Sequence, residues 1–88
     1  MVTKVQESVK VLTAFDDRRL AARPIQMVWN ERAYRLGPVD FLHATQKGVE
    51  RIYHFSLSEA AGSMYMKLAF HSHSMVWILE EIEEDGGR

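Results

Sequence analysis

The 88-residue sequence contains no cysteine. That excludes a disulfide-stapled scaffold, thiolate metal sites and a cysteine nucleophile. Only two prolines and five glycines occur, so the chain is neither collagenous nor linker-like. No apolar run approaches the roughly 18 residues that a membrane-spanning helix needs. The opening MVTKVQESVK lacks the apolar core of a secretory signal, which makes the cytoplasm the default expectation. Charge of one sign is lacking too. Eleven Lys and Arg stand against twelve Asp and Glu, a net of −1 that gives no general affinity for phosphate backbones. No G-x-S-x-G elbow, G-x-G-x-x-G turn or P-loop is found.

What is present suits one folded domain spanning 1–88, with 1–7 and 84–88 expected as frayed ends. Apolar residues make up 47% and charged residues 26%, close to the globular averages of about 45–50% and 25%. The charge is unevenly spread, +3 over residues 1–51 and −4 over 52–88. Between positions 18 and 35, Arg18, Arg19, Arg23, Arg32 and Arg35 face only Glu31. Such a bipolar chain can attract a copy of itself or a charged partner, although solvated strand faces explain the same pattern.

The dominant hydrophobic period is two. Val9, Val11, Thr13 and Phe15 alternate with Lys10, Leu12 and Ala14, which predicts a first strand over 8–15. Val2, Val5, Val9 and Leu12 also sit at helical spacing, but β-branched valines suit a pleated surface better. DDRRLAA at 16–22 reads as a connection, with room for one helical turn. PIQMVWNERAYRL at 24–36 predicts a hairpin that pairs Trp29 with Arg32, Met27 with Tyr34 and Ile25 with Leu36. Asn30 tolerates the positive φ of a type I′ turn and Glu31 does not, so a longer or bulged turn is expected.

Gly37-Pro38 punctuates the chain before a second hairpin. Its expected turn is the three-residue loop Gln46-Lys47-Gly48, pairing Thr45 with Val49. That register sets Val39, Phe41 and His43 beside Arg51, Tyr53 and Phe55, with Leu42, Ile52 and His54 on the opposite face. SEAAGS at 58–63 reads as a polar loop. Met64, Met66, Leu68 and Phe70 form one face of a fifth strand, and HSHS at 71–74 forms a turn. The last strand, 75–82, carries Trp77 and Leu79 on one face and Val76, Ile78 and Ile82 on the other. The fold expected is all-β: a small antiparallel meander of about six strands, SH3-like or a related small barrel.

The stretch R-P-I-x-M-x-W-N-x-R-x-Y-R-L at 23–36, His43, Y-H-F-S at 53–56 and W-x-L-E-E-I at 77–82 carry a resemblance. Over residues 9–83 the chain resembles small single-domain bacterial β-rich proteins of unknown function. Those proteins have a W-x-G-R-x-Y hairpin and a W-x-L-E-E-I final strand, with a turn glycine where Glu31 stands here. The resemblance implies the fold and brings no activity, cofactor or catalytic residue.

Four histidines raise the question of a metal. His71 and His73 at i, i+2 share a face on a strand and can serve zinc, with His54, His43 or Glu81 as third ligand. HSHS belongs to a turn, however, and solvated turn histidines are the plainer reading. His43 and His54 with Arg51 offer the acid, base and cation of RNA cleavage. The expected register points the two histidines to opposite faces. No metal, cofactor or catalytic residue is therefore assigned.

Most aromatics read as core. Trp29 and Tyr34 beside Arg32 and Arg35 make a patch able to stack single-stranded bases or anchor a protein, if that hairpin face is open. The function expected is a non-catalytic binding module for a protein partner or a second copy, with no membrane partner. The candidate residues are Arg18, Arg19, Arg23, Trp29, Arg32, Tyr34 and Arg35. The alternative is an accessory single-stranded nucleic-acid-binding protein using the arginine-rich region 18–35. A small metal-dependent or RNA-cleaving enzyme is the third reading.

Overall fold

The computed structural model describes residues 2–16 and 21–84. Six strands follow one another: β1 (Val2–Asp16), β2 (Ala21–Trp29), β3 (Arg32–Lys47), β4 (Glu50–Glu59), β5 (Met64–His71) and β6 (Val76–Glu84). Each pairs antiparallel with the next, and β6 pairs back with β1, so the meander closes on itself as a barrel. Closure gives the sheet one enclosed face. Met27, Leu57, Met66, Leu68 and Leu79 fill it, all essentially inaccessible to solvent. Trp77 packs there against Phe55 and Phe70, with ring centroids 5.4 and 5.0 Å away. The all-β expectation and a core built on Met27, Met64, Met66 and leucines follow from the same period-two pattern.

Outside the second hairpin, four differences from expectation stand out in strand lengths and faces. First, β1 starts at Val2, and residues 2–4 and 7–9 pair with β6. A bulge between Lys4 and Glu7, with Gln6 at φ 53°, keeps the early valines usable by a strand. The helical spacing of Val2, Val5 and Val9 has no helix behind it. Second, Asp16, Ala21 and Ala22 of the expected connection belong to β1 and β2, while 17–20 lie outside the described residues.

Third, the turn at Asn30-Glu31 is tight. Its flanks pair Trp29 with Arg32 and Met27 with Tyr34 as expected. Both central residues have positive φ, 52° and 64°, so the type I′ geometry forms with a glutamate in the left-handed region rather than by lengthening the loop. Fourth, Ile82 faces inward with Leu79 and not outward with Ile78. Lys67 pairs with Glu81 and Leu68 with Leu79, which leaves Glu80 as the extra residue of a bulge. One extra residue flips every later side chain to the other face.

The second hairpin also departs from its expected register. Lys47 pairs with Glu50, Thr45 with Ile52 and His43 with His54, around a two-residue turn at Gly48-Val49. Of the two, only Gly48 has positive φ (60°), the signature of a type II′ turn with glycine first. The expected three-residue loop is overturned, and with it the faces. His43 and His54 lie side by side.

Candidate functional site

The outer faces of β3, β4 and β6 assemble a hydrogen-bonded chain of side chains. Thr45 Oγ1 lies 2.9 Å from His54 Nε2, and His54 Nδ1 lies 3.3 Å from Glu80 Oε1. A carboxylate only accepts, so Nδ1 carries the proton to Glu80. In the neutral ring, Nε2 then accepts from the Thr45 hydroxyl. β5 runs between β4 and β6, and its residue beneath the bridge is Ala69, paired with both His54 and Ile78 and fully buried. A methyl side chain there leaves room for His54 and Glu80 to meet across a whole strand. The bulge at Glu80 aims its carboxylate outward to do so. His43 stacks on His54 with centroids 4.6 Å apart and planes 10° from parallel, and Phe41 lies 5.5 Å beyond His43. The cluster can hold and pass a proton along a fixed line. Arg51, the cation of the RNA-cleavage reading, pairs with Gln46 on the opposite face and lies over the Tyr53 ring at 5.8 Å.

A second histidine–carboxylate pair sits on the same outer face. Glu50 Oε1 lies 3.3 Å from His71 Nδ1, while Glu50 Oε2 accepts from the Ser74 amide at 3.0 Å and hydroxyl at 2.9 Å. The Ser74 amide and hydroxyl, then His71, hold the Glu50 carboxyl well below its ordinary range, at about 2. Ser72 adds amide and hydroxyl bonds to the Arg51 carbonyl at 3.0 and 2.7 Å. These bonds tie the β5–β6 turn to the start of β4. The turn falls at 72–75, one residue later than expected: His71 ends β5 as a half-buried strap rather than a solvated turn side chain, and His73 is exposed. Among the described residues, no three His, Asp or Glu side chains converge as a metal site would require.

The arginine patch is only partly assembled. Arg18 and Arg19 lie outside the described residues, and Arg23 is exposed on β2. Trp29 is half-buried: its indole packs on the core and donates to Glu7 Oε1 at 3.0 Å. Tyr34 packs on the core as well, 6.3 Å from Trp29, with the Arg32 guanidinium 5.5 Å from its ring centre. Arg32 and Arg35 alternate along β3 yet border one open groove of about 460 Å³ with Tyr34, Glu59, Ser63 and Glu84. Glu59 accepts from the Ser63 hydroxyl and amide, which lower its carboxyl below the usual range. The two arginines therefore meet at a groove that also contains acid.

The feature missed from the sequence is an open strand edge. β2 and β3 pair only from Gln26–Arg35 to Trp29–Arg32. Carried further, that register would set Pro24 opposite Gly37 and Arg23 opposite Pro38. Proline has no amide to offer a ladder, and the seam stops. Gly37 instead approaches the end of β4 so closely that a Cβ there would lie 3.1 Å from the Ser58 carbonyl oxygen. Among the described residues, β3 beyond Leu36 then pairs with β4 alone. Every residue from Asp40 to Val49 is exposed, including Phe41 at 60% and Leu42 at 48%. The signal was Pro24 and Pro38, which bracket the first hairpin in the sequence and were not read as the two sides of one gap. No helix among the described residues is long and apolar enough to cross a membrane. Compared with protein-family models, curated proteins and solved structures, the chain matches none of them.

Proposed function

We propose that this protein is a non-catalytic binding module that takes a protein partner by strand addition along the open edge of β3. The observation that carries the reading is the one-sided pairing of residues 39–47. A strand edge of that length offers a row of unpaired amides and carbonyls, which is a template for another chain. Exposed Phe41 and Leu42, on opposite faces of the strand, supply apolar anchors on either side of an added strand. A photo-crosslinking residue at position 42 should yield protein adducts in cells. The same residue at Lys67, exposed on the outer face of β5, should not. Equal yields at both positions would defeat the reading.

One observation favours the nucleic-acid alternative: Arg32 and Arg35 share a groove with the Tyr34 ring. Under that reading, Arg32→Glu with Arg35→Glu should abolish oligonucleotide binding and leave the melting temperature nearly unchanged. Two lost phosphate contacts would flatten the salt dependence of single-strand binding by about 1.4 in log–log slope. Wild-type protein that ignores single-stranded DNA and RNA at low salt would remove it.

A further inference from the structure

We infer that the occupant of the β3 edge is a second copy of this chain, added antiparallel about a two-fold axis at His43. The inference rests on the strand-addition reading and names its partner. The segment Val39 to Lys47 reads VDFLHATQK. Its charges stand one at each end and opposite in sign, Asp40 and Lys47, and Phe41 to Gln46 between them are uncharged. Edge strands that avoid each other carry charge or proline in mid-strand, and this one carries neither.

Antiparallel pairing makes the sequence self-complementary. With His43 opposite the second copy's His43, Leu42 meets Ala44 and Phe41 meets Thr45. Phe41, His43 and Thr45 share the outer face, since their β4 partners are Ser56, His54 and Ile52. The residues brought opposite one another thus match in face, as strand addition demands. At both ends Lys47 reaches the position of Val39 and Asp40. The register shift between Val39 and Phe41 leaves Asp40 as the bulged residue there, turned to the outer face that Lys47 shares with Glu50. Asp40 stands near Tyr65 on that face, where burial first and then the Asp40 charge raise the Tyr65 hydroxyl above its ordinary range. Parallel addition would instead set Asp40 against Asp40 and Lys47 against Lys47. Two copies joined this way would run the Phe41–His43–His54 strip continuously across the axis.

Sedimentation of the full chain, followed from about 1 μM to 1 mM, tests association directly. A species of twice 10.2 kDa is expected. Asp40→Lys and Lys47→Asp should each weaken it about tenfold, by setting like charges together at both ends, and the double exchange should restore it. Register is tested separately, since the chain has no cysteine of its own. His43→Cys should form a disulfide-linked dimer under mild oxidation. Val49→Cys, 82% exposed but off the axis, should not. If the protein stays monomeric to 1 mM while position 42 still crosslinks to other proteins, self-pairing is overturned and strand addition survives. If a dimer forms but is indifferent to both charge variants, and Val49→Cys links as fast as His43→Cys, self-pairing along this edge is overturned. If adducts are as frequent from position 67 as from position 42, the strand-addition reading falls with it.

Discussion

The wall made of β4, β5 and β6 and the seam between β2 and β3 are built from similar sequence and behave differently. In the wall, pairing runs from Ile52 to Ser58 against β5 and along the whole of β5 against β6. Its inner face buries Phe55, Leu57, Met66, Leu68 and Leu79; its outer face buries Ile52 and Ala69 under two histidine–glutamate bridges. The seam has four residue pairs and ends at two prolines. A closed sheet normally removes its edges. Among the described residues, closure is complete over only part of the height, and the remaining length of β3 pairs on one side alone. The ring encloses the core, and the gap in the ring leaves exposed the β3 edge that we propose as the binding surface.

The largest expected effect is in the wall. Leu68→Ala removes a side chain with no exposed surface and should cost about 2–5 kcal/mol in urea unfolding. Leu42→Ala, the same deletion at the open edge, removes a half-exposed chain and should stay within about 0.5 kcal/mol of wild type. Equal losses would mean that the β3 extension is packed and that no edge is open. Ala69→Leu comes next. It inserts volume beneath the His54–Glu80 bridge and should cost about 1–3 kcal/mol, with loss of the Thr45–His54–Glu80 chain visible in the His54 ring resonances.

How much of this was legible depended on where one residue could change a face. Alternation alone grouped Met64, Met66 and Leu68 on one face of β5 and Trp77 with Leu79 on one face of β6, and all five turn to the core. The same alternation failed at Ile82, because a bulge at Glu80 leaves no mark in a run of glutamates. It failed again at His43 and His54. Gly48 fits a left-handed position in both a two-residue and a three-residue loop, and the choice decides whether the histidines meet. A period of two is unforgiving in this respect, since a slip by an odd number of residues inverts the whole strand. The arginine-rich region was legible as charge but not as geometry. Nothing in the spacing revealed that Trp29 is engaged by Glu7, which lies 22 positions earlier.

A smaller effect is expected from the strap between the β5–β6 turn and β4. The Glu50 carboxyl sits at about 2 in the folded protein against an ordinary 4.5, lowered first by the Ser74 amide and hydroxyl and then by His71. A carboxyl lowered on folding stabilises the fold above its unfolded value, and that contribution fades as pH falls from about 4.5 toward 2. Glu50→Gln should therefore be less stable than wild type at neutral pH, and the gap should close by about pH 2. Urea midpoints across that range measure it. A gap that stays constant from pH 7 to pH 2 would show that Glu50 ionises alike in the folded and unfolded chain, so that the Ser74 and His71 bonds do not favour its charged form.

The smallest expected effect is at the turn that closes the seam, and its sign is opposite. Glu31 has φ 64° beside Asn30 at 52°. An L-residue in the left-handed region carries a steric cost of about 1–2 kcal/mol that glycine avoids. Glycine in turn loses more freedom on folding, roughly 0.5–1 kcal/mol. The difference favours Glu31→Gly by about 0.5–1 kcal/mol, or about 2–8 °C in melting temperature for a domain of this size. Glu31→Val should move the other way, because a β-branched side chain tolerates positive φ least. Both changes leave the wall untouched, so they act on the four pairs of the seam alone. Hydrogen exchange separates the alternatives. If Glu31→Gly slows exchange of the Met27 to Trp29 amides and spares those of β5, the turn limits opening of the seam. If it slows β5 equally, the barrel opens as one unit, and the contrast between wall and seam is one of geometry without a difference in local stability.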